Sequence, residues 1–205
     1  MARRTRAEAA ATREALLHAA EQEFLQRGVS RTSLEHIACR AGVTRGAIYW
    51  HFRDKTDLFA AMLERVRLPL ANMADEFRQE LGEEDPIGLL TKLCRIAFAQ
   101  LEENETYRNV YTILFTRCEF AGEVNPVFEQ QLAIDAETLQ RVEVDIERAR
   151  ALGRVRGDVS PRVAALSLYA LMHGIYVSWL RAPDSFSIRS DGEAMLEMFF
   201  RGLAP

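Results

Sequence analysis

Residues 44–51 read TRGAIYWH, a stretch in which donors crowd one short segment. Thr44, Arg45, Tyr49 and His51 offer hydrogen-bond donors, while Gly46 and Ala47 add almost no bulk and let a backbone approach a groove. Arg45 and Tyr49 are four apart, so on a helix they share a face. A guanidinium suits bidentate contact with guanine in the major groove, whereas the hydroxyl and imidazole groups of Ser33, Thr44, Tyr49 and His51 suit phosphate oxygens. Trp50 beside Tyr49 makes an aromatic pair that a plain surface hairpin, the alternative reading, does not explain. Lys55, just after Asp54, adds another cation for phosphate. The chemistry on offer is non-covalent recognition of a duplex polyanion.

The elements that position these groups are legible around them. Thr32 followed by Glu35 predicts a capping box, and Leu34, Ile37, Ala38 and Ala41 continue one face of a short helix. Gly42 ends it and Val43 anchors the turn. A second short helix begins near Thr44 and turns Ile48 and Phe52 inward, with Asp54 capping the helix that follows. Two brief helices joined by a glycine turn form a helix-turn-helix. Upstream, a helix ending at Gly28 carries Leu16, Leu17, Ala20 and Phe24 as the stripe that packs on Ile37, Ile48 and Phe52. Before it, Arg3, Arg4 and Arg6 form a basic arm suited to a minor groove or its phosphates, or else an inert tail.

Charge follows the same division. Residues 1–55 hold ten Lys or Arg against six Asp or Glu, leaving 16 basic and 24 acidic residues for the rest of a chain of net charge −4. A basic head on an acidic body presents one end to a polyanion. Other chemistries lack their signatures: there is no G-x-S-x-G elbow, no phosphate-binding glycine loop and no paired carboxylates placed for catalysis, so no enzyme is expected. Cys39, Cys94 and Cys118 form no C-x-x-C pair, and His36 with Cys39 makes too few ligands for a metal. No cofactor is expected. The chain reads as cytoplasmic, and its Arg-rich start lacks the apolar core of a secretory signal.

The remainder of the 205 residues keeps helical periodicity without strand-like alternation or repeats, predicting an all-α protein. A long helix after Asp54 carries a stripe from Leu58 to Leu81, stops at Gly82 and contains Pro69, which is expected to kink it; the bend either moves with the body or is static. Asp85-Pro86, Asn125-Pro126 and Ser160-Pro161 mark helix starts, and Ser190 with Glu193 reads as a capping box for the last helix. Residues 163–180 contain no Asp, Glu, Lys or Arg; a covered core helix is favoured over a membrane span. Because it is apolar almost all round, it needs cover on a second side. That side, with the Phe199 and Phe200 end of the last helix, is a natural two-fold interface. A homodimer also suits a palindromic operator in double-stranded DNA, read by one short helix per subunit. Tyr107, Tyr111 and Phe115, with Leu168, Met172, His173 and Tyr176, form either an apolar small-molecule lining or a filled core with satisfied hydroxyls.

The segment GVTRGAIYWHFRDKTDLF, with TSLEHIA before it and AAEQEF and Arg27-Gly28 upstream, resembles the DNA-binding end of the TetR family of bacterial transcriptional repressors. The likeness covers about the first sixty residues. It implies a nine-helix fold, a DNA-binding domain over 1–54 and a ligand-binding and dimerisation domain over 55–205. Residues 114–120 (LFTRCEF), SWL at 178–180 and PDSF at 183–186 are similar to the multidrug-efflux branch, whose members release an efflux-pump operator when a lipophilic drug binds. That resemblance implies a pocket bordered by Leu93, Ala97, Tyr111, Phe115, Thr138, Val142, Leu168, Met172, His173, Tyr176 and Val177. Asp135 and the large Tyr111 and Phe115 depart from the pattern and imply a smaller pocket, or one that favours flat or cationic compounds. The alternative is a regulator of lipid or catabolic genes answering a specific metabolite.

Overall fold

The computed structural model describes residues 6–81, 84–118 and 125–205. Arg3, Arg4, Gly82, the last two residues of LFTRCEF and the side chains of Leu81, Pro126 and Phe128 lie outside the described residues or side chains. Among the described residues the chain is all-helical: α1 (Arg6–Arg27), α2 (Leu34–Arg40), α3 (Arg45–His51), α4 (Lys55–Leu81), α5 (Pro86–Glu103), α6 (Glu105–Thr112), α7 (Asn125–Ala151), α8 (Pro161–Arg181) and α9 (Ser190–Leu203). A π-helical turn over Ile113–Arg117 follows α6, and a 3-10 turn over Pro183–Ser185 precedes α9. Two compact units result, residues 1–67 with 109–129, and residues 68–108 with 130–205.

The first unit is organised by α1. Leu16, Leu17, Ala20 and Phe24 are wholly buried, as are Ile37 of α2 and Ile48 of α3, and Phe52 is nearly so. Each Leu, Ile or Phe among them contributes about 1.5–3 kcal/mol through removal from water. Leu58, Phe59 and Met62 on the first turns of α4 are also wholly buried, with the Phe24 and Phe59 rings 6.0 Å apart. Two acids on α1 tie it to its neighbours: Glu23, 5% exposed, meets Arg27 at 2.8 Å and Arg40 of α2 at 2.5 Å, and Glu21 pairs with Arg65 of α4. Burial strengthens such pairs but makes loss of one partner costly. The π-helical turn also belongs here, its Arg117 carbonyl accepting the Val29 N–H at 3.1 Å.

The α2 start differs from the expected one by a single residue. Ser33, not Thr32, is the N-cap: its hydroxyl accepts the His36 N–H at 3.2 Å, and His36 Nδ1 accepts the Ser33 N–H at 3.4 Å. Thr32 is buried, and its hydroxyl donates to the Gly28 carbonyl at 2.8 Å instead. Glu35 is therefore not a capping residue. Gly42 does end the first helix of the pair, with φ +67° in the left-handed region that costs a Cβ-bearing residue most.

In the second unit, Leu90, Ile146, Ala149, Val155, Ala164, Ala165 and Leu203 form a core to which α5, α7, α8 and α9 all contribute. Phe199 and Phe200 pack against this core on one side and remain half-buried. A Cβ on Gly192 would come within 3.1 Å of the Phe98 ring, marking a close approach of α9 to α5. Asp85 caps α5 by accepting the Gly88 N–H at 3.1 Å. At α9 the expected Ser190 and Glu193 box is absent: Ser187 accepts the Ser190 N–H at 3.2 Å, and Asp191 accepts the Ser187 N–H at 2.8 Å. Glu193 instead pairs with Arg95 of α5 at 3.1 Å. Helix α4 continues as helix through Pro69.

Candidate nucleic-acid interface

Thr44 caps α3 by accepting the Ala47 N–H at 3.2 Å, which leaves its hydroxyl hydrogen to donate outward. Ile48 fixes the inner side of α3 with no exposed surface. The outer side is open: Arg45 is 72% exposed, Trp50 73% and Tyr49 44%. An isolated seven-residue helix is unstable in water, so the buried Ile48 and the Thr44 cap are what hold this face in place. Gly46 adds nothing to its bulk, and Ala47 is half-buried beside it. The His51 ring meets Trp50 edge-on at 4.6 Å between centroids. Arg6 is exposed in the first turn of α1.

Three polar side chains converge across the two short helices. The Arg45 Nε lies 3.2 Å from Glu35 Oε1, the Tyr49 hydroxyl donates to the same oxygen at 3.2 Å, and the Arg45 guanidinium carbon sits 5.5 Å from the centre of the Tyr49 ring. Spacing along the chain places Arg45 and Tyr49 together, whereas Glu35 three residues after Thr32 has the spacing of a capping residue. The signal for its true position is the helix-turn-helix crossing, which sets residue 35 of the first helix against residues 45 and 49 of the second. The Glu35 carboxyl is held below the usual range chiefly by a backbone hydrogen bond, against some desolvation, with help from Tyr49, Arg45 and Ser33.

Lys55 has a second role besides charge. Its Nζ donates to the carbonyls of Ser30 at 3.3 Å and Thr32 at 3.1 Å, tying the start of α4 to the α1–α2 loop. Asp54 accepts the Asp57 N–H at 2.8 Å, and Asp57 accepts the Arg53 N–H at 3.0 Å, so that helix start is reciprocally capped.

Residues expected to line a ligand pocket fall in both units and are described unit by unit. In the first, the Tyr111 and Phe115 rings lie 5.7 Å apart and both are half-buried. In the second, Ala97, Leu168 and Tyr176 are buried, Leu93, Val142, Met172 and Val177 are half-buried, and Thr138 and His173 are exposed. Val142 packs against the core of that unit, and the Thr138 hydroxyl bonds back to the Ile134 carbonyl at 2.9 Å. The buried Tyr107 and Tyr176 hydroxyls satisfy one another at 3.1 Å. Asp135 is engaged by Gln131 at 2.7 Å and by the Tyr169 hydroxyl at 2.9 Å, and Tyr169 stacks on His173. A separate open cleft of about 340 Å³ is lined by Arg78, Glu137, Gln140, Arg141, Val144 and Asp145, a mostly charged set.

Among the described residues no group of three His, Cys, Asp or Glu is placed to hold a metal ion. Burial pushes the Cys94 and Cys118 thiols up to about 12, so both stay protonated at neutral pH.

A glycine-turned pair of seven-residue helices, packed on a third and presenting Arg, Tyr and Trp outward, defines a helix-turn-helix DNA-binding protein. Comparison with known proteins narrows the class. The profile "Bacterial regulatory proteins, tetR family" matches residues 16–62, and "MAATS-type transcriptional repressor, C-terminal region" matches residues 85–205. The HTH-type transcriptional repressor BepR of Brucella suis is 35% identical over 201 residues, covering 98% of this chain and 96% of its own length. Among solved structures, NalD, the secondary repressor of the MexAB-OprM multidrug efflux pump in Pseudomonas aeruginosa, superposes with a TM-score of 0.84 at 42% identity, over 94% of this chain and 96% of that one. The complex of SmeT with triclosan gives 0.85 at 34% identity, over 95% and 92%; SmeT represses the SmeDEF multidrug efflux pump of Stenotrophomonas maltophilia. The chain belongs to the TetR family of bacterial regulatory proteins. It is a DNA-binding transcriptional repressor and not an enzyme, and its described residues form nine α-helices, as the resemblance implies.

Proposed function

We propose that this repressor controls a multidrug efflux operon and is released from a palindromic operator by lipophilic or aromatic small molecules. The observation that carries the reading is similarity along nearly the whole chain, body included, to repressors whose names or titles specify efflux pumps. Residues 1–54 act as the DNA-binding domain and 55–205 as the ligand-binding and dimerisation domain, in the cytoplasm. The dimer forms through α8 and α9. Supporting this, Pro161–Arg181 is long and apolar enough by composition to cross a membrane, yet only 33% of its most apolar window is buried within the chain. An apolar helix this bare in a single chain has a face for a second copy.

Arg45 reads bases, while Arg6, Ser33, Thr44, His51 and Lys55 hold the backbone, Gly46 and Ala47 permit close approach, and Tyr49 and Trp50 pack against the duplex. Arg45→Ala is expected to weaken binding to the chain's own promoter by about 1–3 kcal/mol and to relax preference at one base position. Titration against a set of single-base operator variants checks this. An unchanged ranking of those variants would remove base reading from Arg45.

Ligand and operator are coupled, each lowering affinity for the other by the same factor. Triclosan is the first probe, because SmeT binds it. At saturation it is expected to weaken promoter binding about 5–150-fold. Calorimetry showing triclosan bound while promoter affinity stays unchanged would refute release by that class of compound. A neighbouring operon of catabolic or lipid genes, in place of a pump, would redirect the regulatory target.

A further inference from the structure

We infer that Glu35 is a positioning residue for DNA reading: from α2 it holds the Arg45 guanidinium and the Tyr49 hydroxyl of α3 in the orientation in which Arg45 meets its base. The inference rests on Arg45 being the base reader. Ser33 and His36 share the cap of α2, so the Glu35 carboxylate, beyond its contacts at that helix start, has an oxygen to offer α3. Its Oε1 instead receives both the Arg45 Nε and the Tyr49 hydroxyl at 3.2 Å.

The geometry favours readout over stability. Glu35 is 42% exposed and Arg45 72%, and an ion pair so open to solvent adds little to folding. A carboxylate on a face that meets phosphates also repels DNA, so its presence there calls for a compensating role. Gripping arginine through Nε directs the outer guanidinium edge, the one that pairs bidentately with guanine N7 and O6, away from the protein. Tyr49 completes the clamp, its ring beside the guanidinium and its hydroxyl on the same carboxylate oxygen. A long side chain that would otherwise sample many rotamers then reaches the groove already ordered.

The test measures the affinity ratio between the chain's own promoter site and variants altered at the base whose preference Arg45→Ala relaxes. Full-length Glu35→Gln and Glu35→Ala proteins are compared with the parent, each also in the Arg45→Ala background. Discrimination is expected to fall about five-fold in Glu35→Ala, the upper end for an exposed pair. The Gln variant, which keeps an acceptor for Tyr49, is expected to fall between, and neither should change discrimination once Arg45 is alanine. Melting temperature serves as the second readout. Undiminished discrimination in both Glu35 variants, or an equal drop with and without Arg45, would overturn the inference while leaving Arg45 as reader. A ranking untouched by Arg45→Ala would instead sink the base-reading assignment itself.

Discussion

Replacing Phe24 by alanine is expected to destabilise the first unit by about 3–5 kcal/mol, the range for emptying a buried aromatic site. The ring has no exposed surface and faces Phe59 at 6.0 Å. It lies on the same buried side of α1 as Leu16, Leu17 and Ala20, in the core shared with Ile37 and Ile48. Because α2 and α3 are seven residues each, too short to persist unaided, their geometry depends on that core. The loss should therefore appear twice: a thermal midpoint of the first unit lowered by roughly 12–40 °C, and weakened promoter binding even at temperatures where the second unit stays helical by circular dichroism. Phe24→Leu, which retains most of the apolar volume, should lie much closer to the parent. An alanine variant that melts with the parent and binds the promoter equally well would show that the head does not rest on α1.

The elements legible in the sequence were those set by periodicity and by strong punctuation. Leu16, Leu17, Ala20, Phe24, Ile37 and Ile48 all lie where the helical stripe puts them, and Gly42 and Thr44 mark the turn and the cap. The misplaced features depend on choices that a linear pattern cannot rank. Thr32 and Ser33 are both good caps, and only the packed fold, which buries Thr32 on the Gly28 carbonyl, decides between them. That one-residue difference released Glu35 to α3. Ser190 looked like a cap for the same reason, but Ser187 lies one turn earlier with Asp191 to complete it. The π-helical turn at Ile113–Arg117 is a single turn long, below what a 3.6-residue period resolves. Lys55 shows the limit for charged groups: a cation beside a helix start reads as a phosphate contact, whereas its bonds to Ser30 and Thr32 appear only in three dimensions.

The second large effect is expected on the outer face of α8 and α9, where Ala170→Asp and Met198→Asp should each separate the dimer and abolish tight operator binding. Ala170 is exposed on α8, one turn from both Leu166 and Gly174, and Met198 lies on α9. Val163 is 59% exposed, Leu166 43%, Met195 37% and Met198 74%, and a Cβ on Gly174 would meet nothing within 4 Å. Phe199 and Phe200 pack partly against their own core and stay half-buried, and the methionine side of α9 beside them is the more exposed. In a two-fold interface every residue is duplicated, and one carboxylate per chain places two like charges in the same desolvated patch. An unpaired charge buried there costs about 3–5 kcal/mol, enough to raise the dimer dissociation constant by roughly 200–5,000-fold. With the two readers no longer linked, each half-site is bound alone and the gain from joining them, about 10²–10⁴ in affinity, is lost. Sedimentation over a concentration series, with promoter titration on the same samples, measures both consequences. If the two aspartate variants stay dimeric and bind the promoter as the parent does, the two-fold axis runs through another face of the protein, and the exposed side of α8 requires a different occupant.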